Sequence, residues 1–334
     1  MRAAATVTVL IACVLAGCGS SASTARSPVP VRPATLILDF TPNAVHAGIY
    51  SALARHYDGA EGVHLHVIAP TASTDSIKLL ETDRADFAIL DIHDLALARE
   101  RGQDIVGIMA IVQRPLSAVI AAPDIPSPRA LQDRTVGITG VPSDTAVLRS
   151  VVAGSGGDPA RVKTVTIGFN AVADLLAGRV AASTAFWNDE GQAIQSRRPG
   201  FHIFRVDDFG APSYPELVLC APRQTIQRNP RLARDVVDAL VNGYRFTLAH
   251  PASSAKDLEQ LVPGLDPKLV AVQLHGLLPA FRAPGQRVGE LDPTRLRAWA
   301  RWEARFGIVT RPPNVALAFD PSFAANVPGA APAG

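Results

Sequence analysis

The sequence predicts an α/β protein built from two similar lobes, on three observations. Short β-rich runs alternate with helical stretches from Ala34 to Pro222, the pattern of βαβ units and a largely parallel sheet. After Pro222 the periodicity is helical only, with Leu232, Val236, Leu240 and Tyr244 recurring every four residues beside Val237 and Val241. The third observation is an internal echo. Asp83–Leu90 runs into Asp91-Ile92-His93-Asp94, and at an offset of 95 residues Gly178–Ala185 runs into Phe186-Trp187-Asn188-Asp189. Both segments read as a tight turn, a strand, and a polar strand end entering a helix. The match is loose, and chance is its competing explanation. As a true repeat it gives each lobe a strand C-terminus and a helix N-terminus, where open α/β sheets bind ligands. Two such lobes enclose a cleft.

In chain order, Thr35–Asp39 reads as a strand and Ala44–Tyr57 as a helix with Ile49, Leu53 and Tyr57 on one face. Val63–Ile68 is the next strand, Ser73–Leu80 a helix with a Ser or Thr cap, and Phe87–Leu90 a third strand. Asp91–Arg101 reads as a helix closed by Gly102. Further strands are expected near Ile105–Val112, Ala118–Ala121, Val136–Thr139, Val162–Ile167, Ser183–Phe186, His202–Val206 and Leu217–Cys220. Helices over Pro267–Phe281 and Thr294–Phe306 follow, and the Ala/Pro/Gly-rich tail from Pro321 is expected to fray.

Composition narrows the classes. A chain of 334 residues, 48% hydrophobic, has room for about two domains and a large core, which excludes disulfide-stapled and disordered proteins. Lys and Arg number 32 against 30 Asp and Glu, which gives no reason to expect a nucleic-acid partner. Arg2, Arg26 and Arg32 precede Ala34 and no acidic residue does, so the body carries 29 basic against 30 acidic groups. Only four of the basic residues are lysines: Lys78, Lys163, Lys256 and Lys268.

Residues 3–17 form a mostly apolar run behind Arg2, too short to span a membrane comfortably and suited to a signal peptide at 1–17. Leu15-Ala16-Gly17-Cys18 resembles the lipobox of bacterial lipoproteins, which implies acylation of the Cys18 thiol and cleavage before it. The Ser/Pro-rich stretch 18–33 reads as a flexible tether. The expected location is the extracytoplasmic face of the cell membrane, held by lipid. Cys13 leaves with the leader, so Cys220 is the one internal cysteine and, inside a strand, reads as a buried inert thiol.

Leu38-Asp39-Phe40-Thr41-Pro42-Asn43 and His46-Ala47-Gly48-Ile49-Tyr50 resemble the first motif of ThiY-like, SsuA-related thiamine-pyrimidine-precursor solute-binding proteins of ABC importers. Arg84-Ala85-Asp86-Phe87, Val112-Gln113-Arg114-Pro115-Leu116, Gly140-Val141-Pro142-Ser143-Asp144, Val165–Asn170 and Trp187-Asn188-Asp189-Glu190-Gly191 follow in family order over about residues 35–250. The resemblance implies a two-lobed periplasmic-binding-protein fold of type II, with hinge crossings near Leu116–Val119 and Phe209–Leu217 and late helices packed on the first lobe. Lobe 1 is then 34–117 and 217–320, lobe 2 is 118–216, and 321–334 is the tail. It also implies a small-molecule ligand and an ABC permease as partners, with no cofactor, no metal and no catalytic residue.

The resemblance carries site residues one by one. Phe40 stands where the family usually has Trp or Tyr, keeping an aromatic face without a polar handle. Asp39 either faces ligand or ties down the turn, and Asn43 either bonds ligand or caps the helix. His46 sits in the first helical turn; Gln113 offers both a donor and an acceptor. Arg114 suits a carboxylate or phosphate or else is solvated. In the second lobe Phe186 and Trp187 are stacking candidates, and Asn188 is a contact or a cap. Glu190 either accepts from an exocyclic amine or complements a helix N-terminus. Asp189 replaces an aromatic frequent in the family, and Ser143 reads as no more than an N-cap.

The best reading is a receptor for a formylaminopyrimidine-type precursor; receptors for a flavin, nitrate or alkylsulfonate are nearer rivals. A remoter rival is the fungal thiamine-pyrimidine synthase of the same superfamily, which uses pyridoxal phosphate and one of its own histidines. His93 falls near that histidine, but the lysine the resemblance requires close before it is absent, and no cysteine cluster is present. His64 and His66 share a strand face without an evident third ligand, which favours a polar outer face over a metal site. Arg295, Arg297, Arg301 and Arg305 around Trp299 and Trp302 read as an amphipathic helix with Trp inward.

Overall fold

The computed structural model describes residues 31–325 and 327, except residues 73 and 142. The leader, Cys18, most of the tether and most of the tail lie outside the described residues.

The strands are β1 (Arg32–Ile37), β2 (Val63–Ile68), β3 (Phe87–Asp91), β4 (Ile105–Ala110), β5 (Ser117–Ala121), β6 (Thr135–Ile138), β7 (Lys163–Thr166), β8 (Ala182–Phe186), β9 (His202–Arg205) and β10 (Leu217–Pro222). They form two five-stranded sheets, ordered β2-β1-β3-β10-β4 and β7-β6-β8-β5-β9. Pairing is parallel within β2-β1-β3 and β7-β6-β8. In each sheet the fourth position is an antiparallel strand: β10 between β3 and β4, and β5 between β8 and β9. Each half thus borrows one central strand from the chain's passage to or from the other.

The internal echo is structural. β3 and β8 hold the third place of their sheets, and Phe87 and Ala182, their first residues, stand 95 positions apart. The turns before them match too: Asp83 has φ 52° and Gly178 φ 67° at the same spacing, a left-handed conformation that Asp tolerates and Gly adopts freely.

The chain passes between sheets over residues 111–116 and 206–216. The first passage lies ahead of the expected Leu116–Val119, because Ser117 already pairs with Phe186 in β5. Two other boundaries shift. The final two positions of the 18–33 stretch belong to β1, since Arg32 and Pro33 pair with Val63 and His64. At the tail, Ser322–Ala325 is a helical turn with Phe323 and Ala324 buried.

The helices that matter below are α1 (Ala47–Ala54), α2 (Asp75–Glu81), α3 (Ile92–Glu100), α4 (Asp144–Gly154), α5 (Ala171–Leu176), α6 (Glu190–Arg197), α7 (Pro230–Ala249), α8 (Pro251–Leu261), α9 (Pro267–Phe281) and α10 (Pro293–Arg305). The span Ala44–Tyr57 is not one helix: a 3-10 turn at Ala44–His46 precedes α1, and His56 at φ 55° breaks the chain before Tyr57. α8 escaped the periodicity because its buried face mixes Ser254 and Asp257 with Ala255 and Leu258. Ser254 bonds Ser51 and Thr247 at 2.8 Å each, and Asp257 accepts from Ser51 at 3.0 Å. In α10 Trp299 and Trp302 are buried and Arg297, Arg301 and Arg305 exposed, as expected. His64 and His66 are exposed on β2, and Cys220 is buried in β10.

The late helices dock through a glycine crossing. A Cβ at Gly243 of α7 would stand 2.0 Å from the Gly48 carbonyl of α1, and one at Gly48 would strike the Tyr244 ring at 2.4 Å. Tyr244 Oη donates to the Val45 carbonyl at 2.8 Å. Gly243→Ala is therefore expected to destabilise by about 1–3 kcal/mol through overpacking, despite a helix-propensity gain of about 1 kcal/mol. Urea unfolding checks it; an unchanged or raised midpoint would contradict the crossing.

Candidate ligand cleft

Strand C-termini of both sheets converge on a cleft of about 830 Å³, its open mouth included. Each first-sheet contribution follows from a local rule. Past β1 the chain turns through Asp39 and Phe40, both in the cleft wall. Behind them Asn43 Oδ1 accepts from Val45 N–H at 2.9 Å, and the Asn43 N–H donates to His46 Nδ1 at 3.2 Å. That leaves the proton of a neutral His46 on Nε2, which lies 2.9 Å from Asp39 Oδ1 and donates to it. Asn43 is thus consumed as a cap, and buried His46 orients Asp39. At the end of β3, Asp91 caps α3 by accepting from His93 N–H at 2.7 Å, and Asp94 enters the cleft one turn on.

The second sheet supplies Thr139, Ser143, Asp144, Phe169, Thr184, Phe186 and Glu190. Asp144 accepts from Thr139 Oγ1 at 2.7 Å, Gly140 N–H at 3.0 Å and Thr184 Oγ1 at 3.0 Å. Glu190 Oε2 accepts from the Phe186 N–H at the end of β8 at 3.0 Å, tying the first turn of α6 back to the strand, and Glu190 also lines the cleft. At the cleft itself Ser143 Oγ donates to Asp94 Oδ1 at 3.1 Å from the other half, and the Phe40 and Phe169 rings meet edge to face at 4.4 Å.

Among the described residues the wall holds five carboxyl groups, Asp39, Asp91, Asp94, Asp144 and Glu190, three phenylalanine rings, and no Lys, Arg or His. Burial, then the Asp189 charge, pushes Glu190 up to about 8. Burial, then Asp144, raises Asp94 to about 7. Burial also raises Asp144 and Asp91, against the hydroxyl donors in the first case and the His93 charge in the second. Near neutral pH this is a cleft of hydrogen-bond acceptors and shared protons, with aromatic faces between them.

Five expected site residues, Asn43, His46, Gln113, Trp187 and Asn188, do not line the cleft. Gln113 donates through Nε2 to the Glu290 carbonyl at 2.9 Å and through its N–H to Ala280 at 2.6 Å, fastening the first passage to the late helices. Trp187 is buried; its Nε1 donates to the Pro115 carbonyl at 3.0 Å and its ring carries the Arg205 guanidinium at 4.3 Å. Neighbours at a strand end point to opposite sides, so Phe186 reaches the cleft and Trp187 does not. Asn188 is 1% exposed, and neither side-chain polar atom finds a partner among the described residues. With Asn43 and His46 behind the wall, Asp39, Phe40, Phe186 and Glu190 are the expected residues that line it. Arg114 is tied to Asp207 at 2.7 Å outside the cleft, and Asp189 accepts from Gln273 of α9.

His93 is fully buried behind the cleft. Its Nδ1 pairs with Glu303, and Nε2 lies 3.1 Å from Tyr214 Oη and 3.5 Å from Glu216 Oε1. Burial opposes its charge, but Glu303 and Asp91 raise its pKa well above the ordinary value. Glu216 also accepts from the N–H groups of Leu116 and Ser117 and from Ser117 Oγ at 2.7 Å, joining the two passages between sheets.

Asp91, Asp94, Asp144 and Phe169 were missed as site residues although each lies in a segment already singled out. The usable signal was the polar strand end Asp91-Ile92-His93-Asp94, whose first and fourth residues share one helical face.

With that geometry in place, likeness to known proteins becomes informative. The profile of the family described as NMT1/THI5 like matches residues 43–254. The chain belongs to the NMT1/THI5-like family. This NMT1/THI5-like chain is 29% identical over 240 residues to a formylaminopyrimidine-binding protein of Halalkalibacterium halodurans, covering 71% of this chain and 72% of that one. It is 27% identical to the riboflavin-binding protein RibY of Chloroflexus aurantiacus, covering 97% of each. Among solved structures, the alkanesulfonate-binding protein SsuA of Xanthomonas axonopodis pv. citri, bound to MOPS, superposes with a TM-score of 0.70 at 15% identity, over 87% of this chain and 98% of that one. The NMT1/THI5-like chain has the type II periplasmic-binding-protein fold that the motifs implied.

Proposed function

We propose that the chain is the ligand-capturing component of an ABC importer, held by an acylated Cys18 at the extracytoplasmic face of the membrane. Its cleft takes a small heteroaromatic ligand rich in hydrogen-bond donors, a formylaminopyrimidine-type thiamine precursor first. One observation carries this reading: five carboxyl groups and three phenylalanine rings line the cleft without a cationic side chain. An aminopyrimidine offers an exocyclic N–H donor beside a ring-nitrogen acceptor. Glu190, with its proton held to about pH 8 and Oε2 accepting from Phe186 N–H, offers its other oxygen to donate to the ring nitrogen or accept from the amine. Phe40 and Phe186 supply ring faces. The relative named for formylaminopyrimidine supports the same ligand.

An anionic ligand fits poorly. A sulfonate or nitrate would meet carboxyl groups with no counter-charge, and Arg114 is engaged elsewhere. A flavin is the second reading, favoured by the likeness to RibY over nearly the whole chain. We read the chain as non-enzymatic: His93 is sealed from the cleft by Glu303, Tyr214 and Glu216, and no lysine lines the wall. Transport would proceed by hinge closure about the two passages, with the closed form docking on the permease.

A thermal-shift screen tests this. A ligand at a hundredfold its Kd stabilises the native state by about 2.7 kcal/mol. Aminopyrimidines are expected to raise Tm, and nitrate and methanesulfonate to leave it unchanged. A shift with sulfonate alone would sink the reading, and one with riboflavin alone would move it to the flavin.

A further inference from the structure

We propose that Asp94 and Asp144 form a charge gate across the cleft, so that the halves close only when a cationic group, an N–H donor or a proton lies between the two carboxyls. The proposal rests on the reading of the cleft as the ligand site and adds what the ligand must present there. Asp94 stands on α3, carried by the first sheet; Asp144 opens α4, carried by the second. The one hydrogen bond joining these helix starts runs from Ser143 to Asp94 at 3.1 Å.

The two acids are unequally provided. Asp144 has three donors, all from its own half, and keeps them whether the cleft is open or shut. Among the described residues Asp94 has the Ser143 hydroxyl as its one side-chain donor, and that comes from across the cleft. The charged groups facing Asp94 are Asp144 in front, Asp91 beside it at the start of the same helix, and His93 and Glu303 behind. His93 is already shared among Glu303, Glu216 and Asp91, and the wall offers no other cation. Closing the cleft therefore buries Asp94 against another acid.

The sign follows. In this closed arrangement Asp94 keeps its proton to about pH 7; opening separates it from Asp144, admits water and returns it toward an ordinary carboxyl. The closed empty form is fully favoured below the ordinary carboxyl value of 3.8 and loses that advantage as pH rises to about 7, above which repulsion opposes closure at full strength. A donor group on the ligand replaces the proton and closes the protein at a pH where the empty form stands open. An anion cannot do so, which makes Asp94 a specificity-determining residue. Glu190 and Asp189 also titrate in this range, at about 8 and about 6, so a variant must isolate Asp94.

Spin labels on the full chain at His64→Cys and Lys163→Cys, exposed sites on β2 and β7, report closure. The empty protein is expected to give a short label distance at pH 4.5 and a longer one at pH 8.5. Asp94→Asn should hold the short distance at both, and Asp144→Asn should lower the midpoint by about one pH unit or more. Adding 4-amino-5-formylaminomethyl-2-methylpyrimidine should restore the short distance at pH 8.5. An empty protein indifferent to pH, or a transition unchanged in Asp94→Asn, overturns the gate. A transition abolished by Asp94→Asn, with no response to the pyrimidine, upholds the gate and counts against the proposed ligand.

Discussion

Replacing Glu216 with leucine is expected to destabilise the protein by about 3–5 kcal/mol, the range for removing one partner of a buried charge pair. Glu216 is fully buried and faces three kinds of donor: the Leu116 and Ser117 N–H groups, the Ser117 hydroxyl and the His93 ring. Leucine would leave two backbone donors unpaired in the interior and His93 without one of its carboxylates. Glu216→Gln keeps an acceptor and should cost less. Because both residues act in one network, adding His93→Leu should cost less than its separate effect. Urea unfolding of the four proteins measures this; a loss below about 1 kcal/mol for Glu216→Leu would mean the clasp between passages is not structural.

The pair also sets a pH window. His93 is raised above its ordinary 6.5, so its contribution is complete below that value and lost as pH rises through the higher folded-state pKa. Burial works against the Glu216 charge, but His93 and Ser117 hold its pKa below the ordinary 4.5; its contribution is complete above 4.5 and lost as pH falls through the depressed value. Both terms are fully present only between those ordinary values, and the stability they confer is expected to be greatest there.

Glu190→Gln should weaken aminopyrimidine binding about 10- to 100-fold, or about 1.4–2.8 kcal/mol. The carboxyl can donate or accept at either oxygen as its proton moves, whereas the amide fixes one donor and one acceptor. Stability should change little, since the amide oxygen can still accept from Phe186 N–H in place of Oε2. Calorimetry with the variant decides it: undiminished binding would remove Glu190 from the recognised edge.

The strand framework was readable because periodicity and turn chemistry are local. Val63–Ile68 and Pro267–Phe281 match to the residue, and the 95-residue echo marks equivalent strands. The antiparallel insertion of β10 and β5 was not readable, because it depends on pairing between residues far apart in the chain, such as Leu90 with Val218 and Ser117 with Phe186. The site was half readable for a related reason. A sequence places Asn43, His46 and Gln113 near a strand end but does not say what consumes their hydrogen bonds. Asn43 is taken by a cap, His46 by Asp39, and Gln113 by the Glu290 carbonyl of a distant loop. Conversely, Asp94 and Asp144 look like ordinary first-turn acids, and only the meeting of two helix starts makes them a pair.

The central claim is that a cation-free, acid-lined aromatic cleft selects a donor-bearing heteroaromatic ring. Calorimetric titration of the full chain at pH 7 with 4-amino-5-formylaminomethyl-2-methylpyrimidine, then with methanesulfonate, tests it most directly. Saturable one-site binding of the pyrimidine and no heat from the sulfonate is the expected result. Saturable sulfonate binding with none by the pyrimidine would contradict the account.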